Sequence, residues 1–275
     1  MSMIMSMDPI SRLQKDVIAA SALLGRREAR YLVDAYYNIQ EYRKASMSQE
    51  RALDDGGEPH AIITWLAAQM SALETQVKRA LGKWAETHPV GRWSMSICGI
   101  GPVISAGLLA HIDITRAPTV GHIWRFAGLD PTCKWEKGNK RPWNAALKVL
   151  CWKIGESFVK VKSKKDDIYG KIYIARKDLE IAKNNERAFA DQADRILRER
   201  KIGKTTEAYK WYSQGMLPPA QIHARAKRYA LKLFLSHWHH AAHVHHYGTA
   251  PPMPYVIEHG GHAHYIAPPH MDLLR

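Results

Sequence analysis

Cysteine is scarce in this 275-residue chain: Cys98, Cys133 and Cys151 are the only three, and no two of them form a C-x-x-C pair. That count and spacing argue against a disulfide scaffold and a zinc ribbon, and make the reducing cytoplasm the expected compartment. Long apolar runs are missing too. The N-terminal MSMIMSMDPI has apolar residues but no charged leader and no extended apolar stretch, so it reads as neither signal peptide nor membrane span. No fixed period repeats along the chain, and no segment alternates apolar and polar residues as a half-buried strand does. The expectation is an all-α protein with long N-terminal and C-terminal helices.

Acidic residues are also in short supply. The chain holds 26 Asp and Glu against 40 Lys and Arg, a formal charge of +14. Residues 1–97 are almost balanced, with 12 basic and 11 acidic side chains, whereas residues 134–177 hold 13 basic and 4 acidic, or +9. A polyanionic partner is implied, and the middle of the chain would meet it.

Helical spacing organises the rest. Residues 9–46 carry apolar positions at Leu13, Val17, Ala20, Leu24, Tyr31, Ala35 and Ile39, which read as one long helix or two short ones. DDGGEPH at 54–60 reads as a turn, with Pro59 opening a second helix that His88-Pro89 stops. Shorter elements follow, and then a stripe of Leu147, Leu150, Cys151, Ile154 and Phe158. Residues 171–201 read as a long, solvent-washed charged helix or arm. Pro218-Pro219 opens a last helix, and the tail beyond Gly248 is expected to be loosely structured. These changes of pattern divide the chain into a helical region at 1–90, a compact module at 91–160, the charged arm and last helix at 161–248, and the tail at 249–275.

The module carries the motif with chemistry in it. CGIGPV, residues 98–103, places Gly-Ile-Gly before a proline-started apolar helix. In such a helix-hairpin-helix the first amides of the second helix have no intrahelical partner, and a phosphate oxygen can take them. Glycine admits the approaching backbone, the isoleucine packs inward, and Pro102 sits where a missing N–H costs nothing. The candidate nucleic-acid contacts are Gly99, Ile100, Gly101 and Val103. A second candidate surface is the loop with Lys134, Lys137, Asn139, Lys140 and Arg141. There Trp135 and Trp143 either stack on unpaired bases or belong to the core. His237, His239, His240, His243, His245 and His246 crowd the end of the last helix, but no H-E-x-x-H frame accompanies them. Capping and packing are the expected roles, with no metal and no cofactor assigned.

Three motifs in series, CGIGPVISAGLLAHI, FAGLDP and GNKRPWNAALKVLCW, resemble the C-terminal domain of the insertion-sequence transposases that use a serine nucleophile and a bridge RNA. Pilin-gene invertases are in the same family. The resemblance covers roughly residues 92–160 and implies a helical, DNA-engaging domain with a role in mobile elements or phages. It also implies a RuvC-like N-terminal half with four acidic ligands, whereas residues 1–90 read as helices. The family's serine falls between the A-G-L-x-P turn and the G-N helix start. Here that stretch is TCKWEK, in which Thr132 and Cys133 are the only candidate replacements.

The expected function is DNA binding without catalysis, with no catalytic residue assigned and no membrane partner. The alternatives left open are an active recombinase with another nucleophile, and an RNA-binding or assembly protein that oligomerises through its charged helix.

Overall fold

The computed structural model describes residues 12–54, 61–253 and 265–274, with the turn at 54–60, Pro59 included, and most of the tail outside them apart from the backbone of Asp54. Among the described residues there are eleven α-helices and no strands. The helices are α1 Lys15–Ala20, α2 Arg26–Asp54, α3 Ala61–Glu86, α4 Pro89–Met95, α5 Pro102–His111, α6 Val120–Phe126, α7 Ala145–Val161, α8 Tyr169–Asn185, α9 Ala190–Glu199, α10 Glu207–Ser213 and α11 Pro219–Tyr247. They form two compact units. Among the described residues, one comprises those up to Ser96 with Gly101–Asp113 and those from His270, and the other comprises Ile97–Ile100 with those of 114–269.

In the first unit α2 and α3 run antiparallel, joined at their apolar faces by Ala29, Val33 and Tyr36 against Leu81, Trp84 and Ala85. Helix α5 closes this cluster with Val103, Ala106 and Ala110. The end of α5 is capped from α2. Arg26 donates from Nε to the Leu109 carbonyl at 3.0 Å and from its terminal nitrogen to Ile112, and Arg30 donates to the Ala110 carbonyl at 2.7 Å. Cations at a helix C-terminus satisfy its unpaired carbonyls and oppose its dipole. Helix α4 approaches α5 closely. The Ser94 and Ser105 hydroxyls lie 2.6 Å apart, and both donate to the Gly91 carbonyl.

The second unit is built around α11, which buries Ile222, Ala226, Ala230, Leu231, Phe234, Leu235 and Trp238. Its core includes the stripe read from sequence: Leu147, Leu150, Cys151, Ile154 and Phe158 of α7 are all buried. Phe158, Tyr169 and Phe234 make a compact aromatic triad with ring centroids 4.9 to 5.4 Å apart.

The segment expected as one solvent-washed helix is different in the structure. It breaks between Asn185 and Ala190, with Arg187 at a positive φ of 58°, and one face of α8 is buried through Tyr169, Gly170, Tyr173, Glu180 and Asn184. The end of α8 is tied to a distant segment. The Asn184 side chain donates to the Leu217 carbonyl and accepts from the Leu217 amide, at 2.9 and 2.8 Å. A short helix not read from sequence, α10, is capped by Thr206, whose hydroxyl accepts from the Tyr209 amide at 3.2 Å.

Candidate nucleic-acid interface

The chain leaves α4 at Met95, turns through Ile97–Ile100 and enters α5 at Pro102. The turn is closed by the Ile100 amide, which donates to the Ile97 carbonyl at 2.9 Å. Ile97 and Ile100 are both buried, so the bracketed isoleucine anchors the turn and its own amide is already committed there.

The two glycines differ in what holds them. Gly99 has φ 92°, a region that L side chains rarely adopt, and a Cβ there would lie 3.1 Å from Val161 Cγ2 and 3.3 Å from Ser157 Oγ. Its carbonyl accepts from the Ser157 hydroxyl at 2.5 Å. Gly101 is extended, with φ −95° and ψ 176°, and a Cβ there would meet nothing within 4 Å. Any residue can adopt that backbone, and the space beside it is open. Helix α5 has no side-chain N-cap, and Val103 in its first turn is buried.

The A-G-L turn after α6 is closed by Gly128 at φ 66°, with the Leu129 amide donating to the Trp124 carbonyl at 2.8 Å. A Cβ on Gly128 would come within 2.9 Å of Trp143, which explains the glycine. Trp143 is therefore half-buried packing over the turn, with the Lys148 ammonium 4.1 Å from its ring centroid. At the start of α7 the Asn144 carboxamide accepts from the Leu147 amide at 2.9 Å, an N-cap bond.

Between these points lies the basic loop. Lys134, Lys137, Asn139, Lys140 and Arg141 are all exposed. The Trp135 indole donates to the Asn139 carbonyl at 2.7 Å, and the Arg141 guanidinium sits 5.5 Å from the Trp135 ring centroid. Gly138, at φ 97°, makes the bend. Among the described residues no carboxylate pairs with any of the four cations.

Thr132 and Cys133 precede this loop. The Thr132 hydroxyl and amide both donate to Asp130 Oδ1, at 2.7 and 2.9 Å, and those bonds hold the Asp130 carboxyl below the usual range. A carboxylate held ionised in this way is a weak proton acceptor, and the arrangement is that of a local turn. Cys133 is half-buried.

Two histidines of α11, His237 and His239, are structural, whereas His245 and His246 are exposed. His237 is buried between the Tyr169 hydroxyl at 2.7 Å and the Ile266 carbonyl at 2.8 Å, and His239 is buried against the Ala117 carbonyl at 2.7 Å. Among the described residues no three His, Cys, Asp or Glu gather in a group that could hold a metal ion. Burial pushes His237 down to about 4 despite its bond to Ile266, and burial lowers His239 and His240 as well. The neutral form of His237 is thereby favoured in the folded protein, while the unfolded chain takes up protons near pH 6.5. The stability that depends on it is complete above that pH and is lost as the pH falls toward 4, by about 3 kcal/mol. A melting profile should show the transition temperature falling steeply from pH 7 to pH 4.5; a flat profile would contradict this burial.

Residues 92–135 match the family described as Transposase IS116/IS110/IS902. This segment, from within α4 through the hairpin, α5 and α6 into the basic loop, is thus a transposase domain of the helix-hairpin-helix type. No curated protein and no solved structure matches the chain. No helix among the described residues is long and apolar enough to cross a membrane.

Proposed function

We propose that this protein binds DNA through the sugar-phosphate backbone, using the hairpin at Gly99–Val103 and the loop of Lys134, Lys137, Asn139, Lys140 and Arg141, and that it does so without cutting the strand. The observation that carries the reading is the contrast between the two hairpin glycines. The turn requires Gly99, whereas nothing in the fold requires a glycine at Gly101. A glycine beside an uncapped helix start and open space suits the close approach of another molecule's backbone. The transposase match over the same residues supports DNA as that molecule.

The binding reading is tested at Gly101. Gly101→Val should keep a transition temperature close to the wild type, because the backbone there is extended and a Cβ meets no atom within 4 Å. It should lose about tenfold or more in duplex affinity through blocked amide contacts. Gly99→Val should melt earlier than the wild type through the strain of a positive φ, worth about 1–2 kcal/mol. Unchanged DNA binding by Gly101→Val would remove the hairpin from the interface.

A further inference from the structure

We propose that the outer face of α7, centred on Trp152, stacks unpaired bases, so that the protein holds melted DNA as well as duplex. This rests on the reading that DNA is the partner. Trp152 is 57% exposed, and Val149, one turn earlier on the same face, is 53% exposed. The opposite face of α7 carries the buried stripe from Leu147 to Phe158, so the core does not need this indole.

The ring is held ready. The Lys227 ammonium lies 5.7 Å from its centroid and is fixed by an ion pair with Glu156 on the next turn of α7. Gly155 makes room for this arrangement, since a Cβ there would come 2.8 Å from Lys227 Cγ. Lys227 therefore steadies the tryptophan, and the exposed part of the indole is left for a ligand. Lys148 and Lys153 flank it in sequence, within the stretch that carries +9.

Charge decides the class of partner. The centres of protein–protein interfaces are depleted in lysine, whereas single-strand sites combine cations that track phosphates with aromatic rings that take bases of any sequence. Val149 and Trp152 among lysines fit the second pattern.

The test uses the full chain and two labelled probes followed by fluorescence anisotropy at low salt: a short oligo-dT strand, which cannot pair with itself, and a duplex of equal length. Trp152→Ala should lose about tenfold or more in affinity for oligo-dT and change little for the duplex, while Trp152→Phe should recover most of the loss. Circular dichroism of both variants should match the wild type. Wild-type and Trp152→Ala affinities for oligo-dT that agree, or a loss that is equal on both probes, overturns the stacking role. A wild-type protein that binds duplex and not oligo-dT overturns it while leaving the backbone grip standing. Failure to bind either probe overturns the DNA reading and this inference with it.

Discussion

Replacing Lys134, Lys137, Lys140 and Arg141 together with alanine is expected to weaken duplex binding by about a thousandfold at ~0.1 M salt. Each cation that neutralises a phosphate releases condensed counterions, contributing about 0.9 to the slope of log affinity against log salt. Four such contacts amount to a slope of roughly 3.5, which at that salt concentration corresponds to the stated loss. The side chains are exposed and pair with no carboxylate among the described residues, so the replacement costs little packing beyond that of Arg141 against the Trp135 ring. Asn139 meets Trp135 through its main chain, and that bond survives in the variant. The measurement is a salt titration of both proteins by mobility shift. A variant within about tenfold of wild type, with the same slope, would place the phosphate contacts elsewhere.

Glu180→Ala should destabilise the unit that contains α8 and α11 by about 3–5 kcal/mol. Glu180 is 1% exposed and accepts from Arg176 and Arg225, with closest distances of 2.5 and 2.6 Å. Burial alone would raise its carboxyl, but the two guanidinium groups more than offset this and hold it below the usual range. Removing the carboxylate leaves two cations to find other partners. Arg225 retains Gln192 at 3.3 Å and the Phe189 ring at 4.4 Å, and Arg176 retains the Tyr229 ring at 4.6 Å, none of which carries negative charge. Denaturant unfolding should show an earlier transition, and Glu180→Gln should fall between wild type and alanine. A shift below about 1 kcal/mol would mean that the pair is as weak as a surface salt bridge.

Glu180 also shows where reading the sequence stops. The segment around it, KDLEIAKNNE, is made of good helix formers with mixed charge, so local spacing points to a solvated face. Glu180 pairs with Arg225, 45 residues away, and Asn184 at the end of the helix bonds to Leu217. Neither partner leaves a local trace. The histidines of α11 are similar, because the Tyr169 hydroxyl that His237 meets and the Ala117 carbonyl that His239 meets lie far off in sequence.

Signals that act within a few residues were legible. Pro102 and Pro219 each open a helix, and the apolar stripe of α7 faces inward as its spacing requires. The hairpin lies between these extremes. Gly-Ile-Gly is visible in the sequence, and so is the inward isoleucine. That one glycine serves the fold and the other does not depends on Val161 and Ser157, some 60 residues downstream.

A grip on the DNA backbone by charge and by open amides is tested most directly by the affinity of the wild-type protein for a duplex of arbitrary sequence, measured from low to moderate salt. Binding should be tight at low salt, insensitive to scrambling of the sequence, and should fall with a log–log slope of about −3.5 or steeper. Absence of binding at low salt, or binding that does not respond to salt, would contradict it.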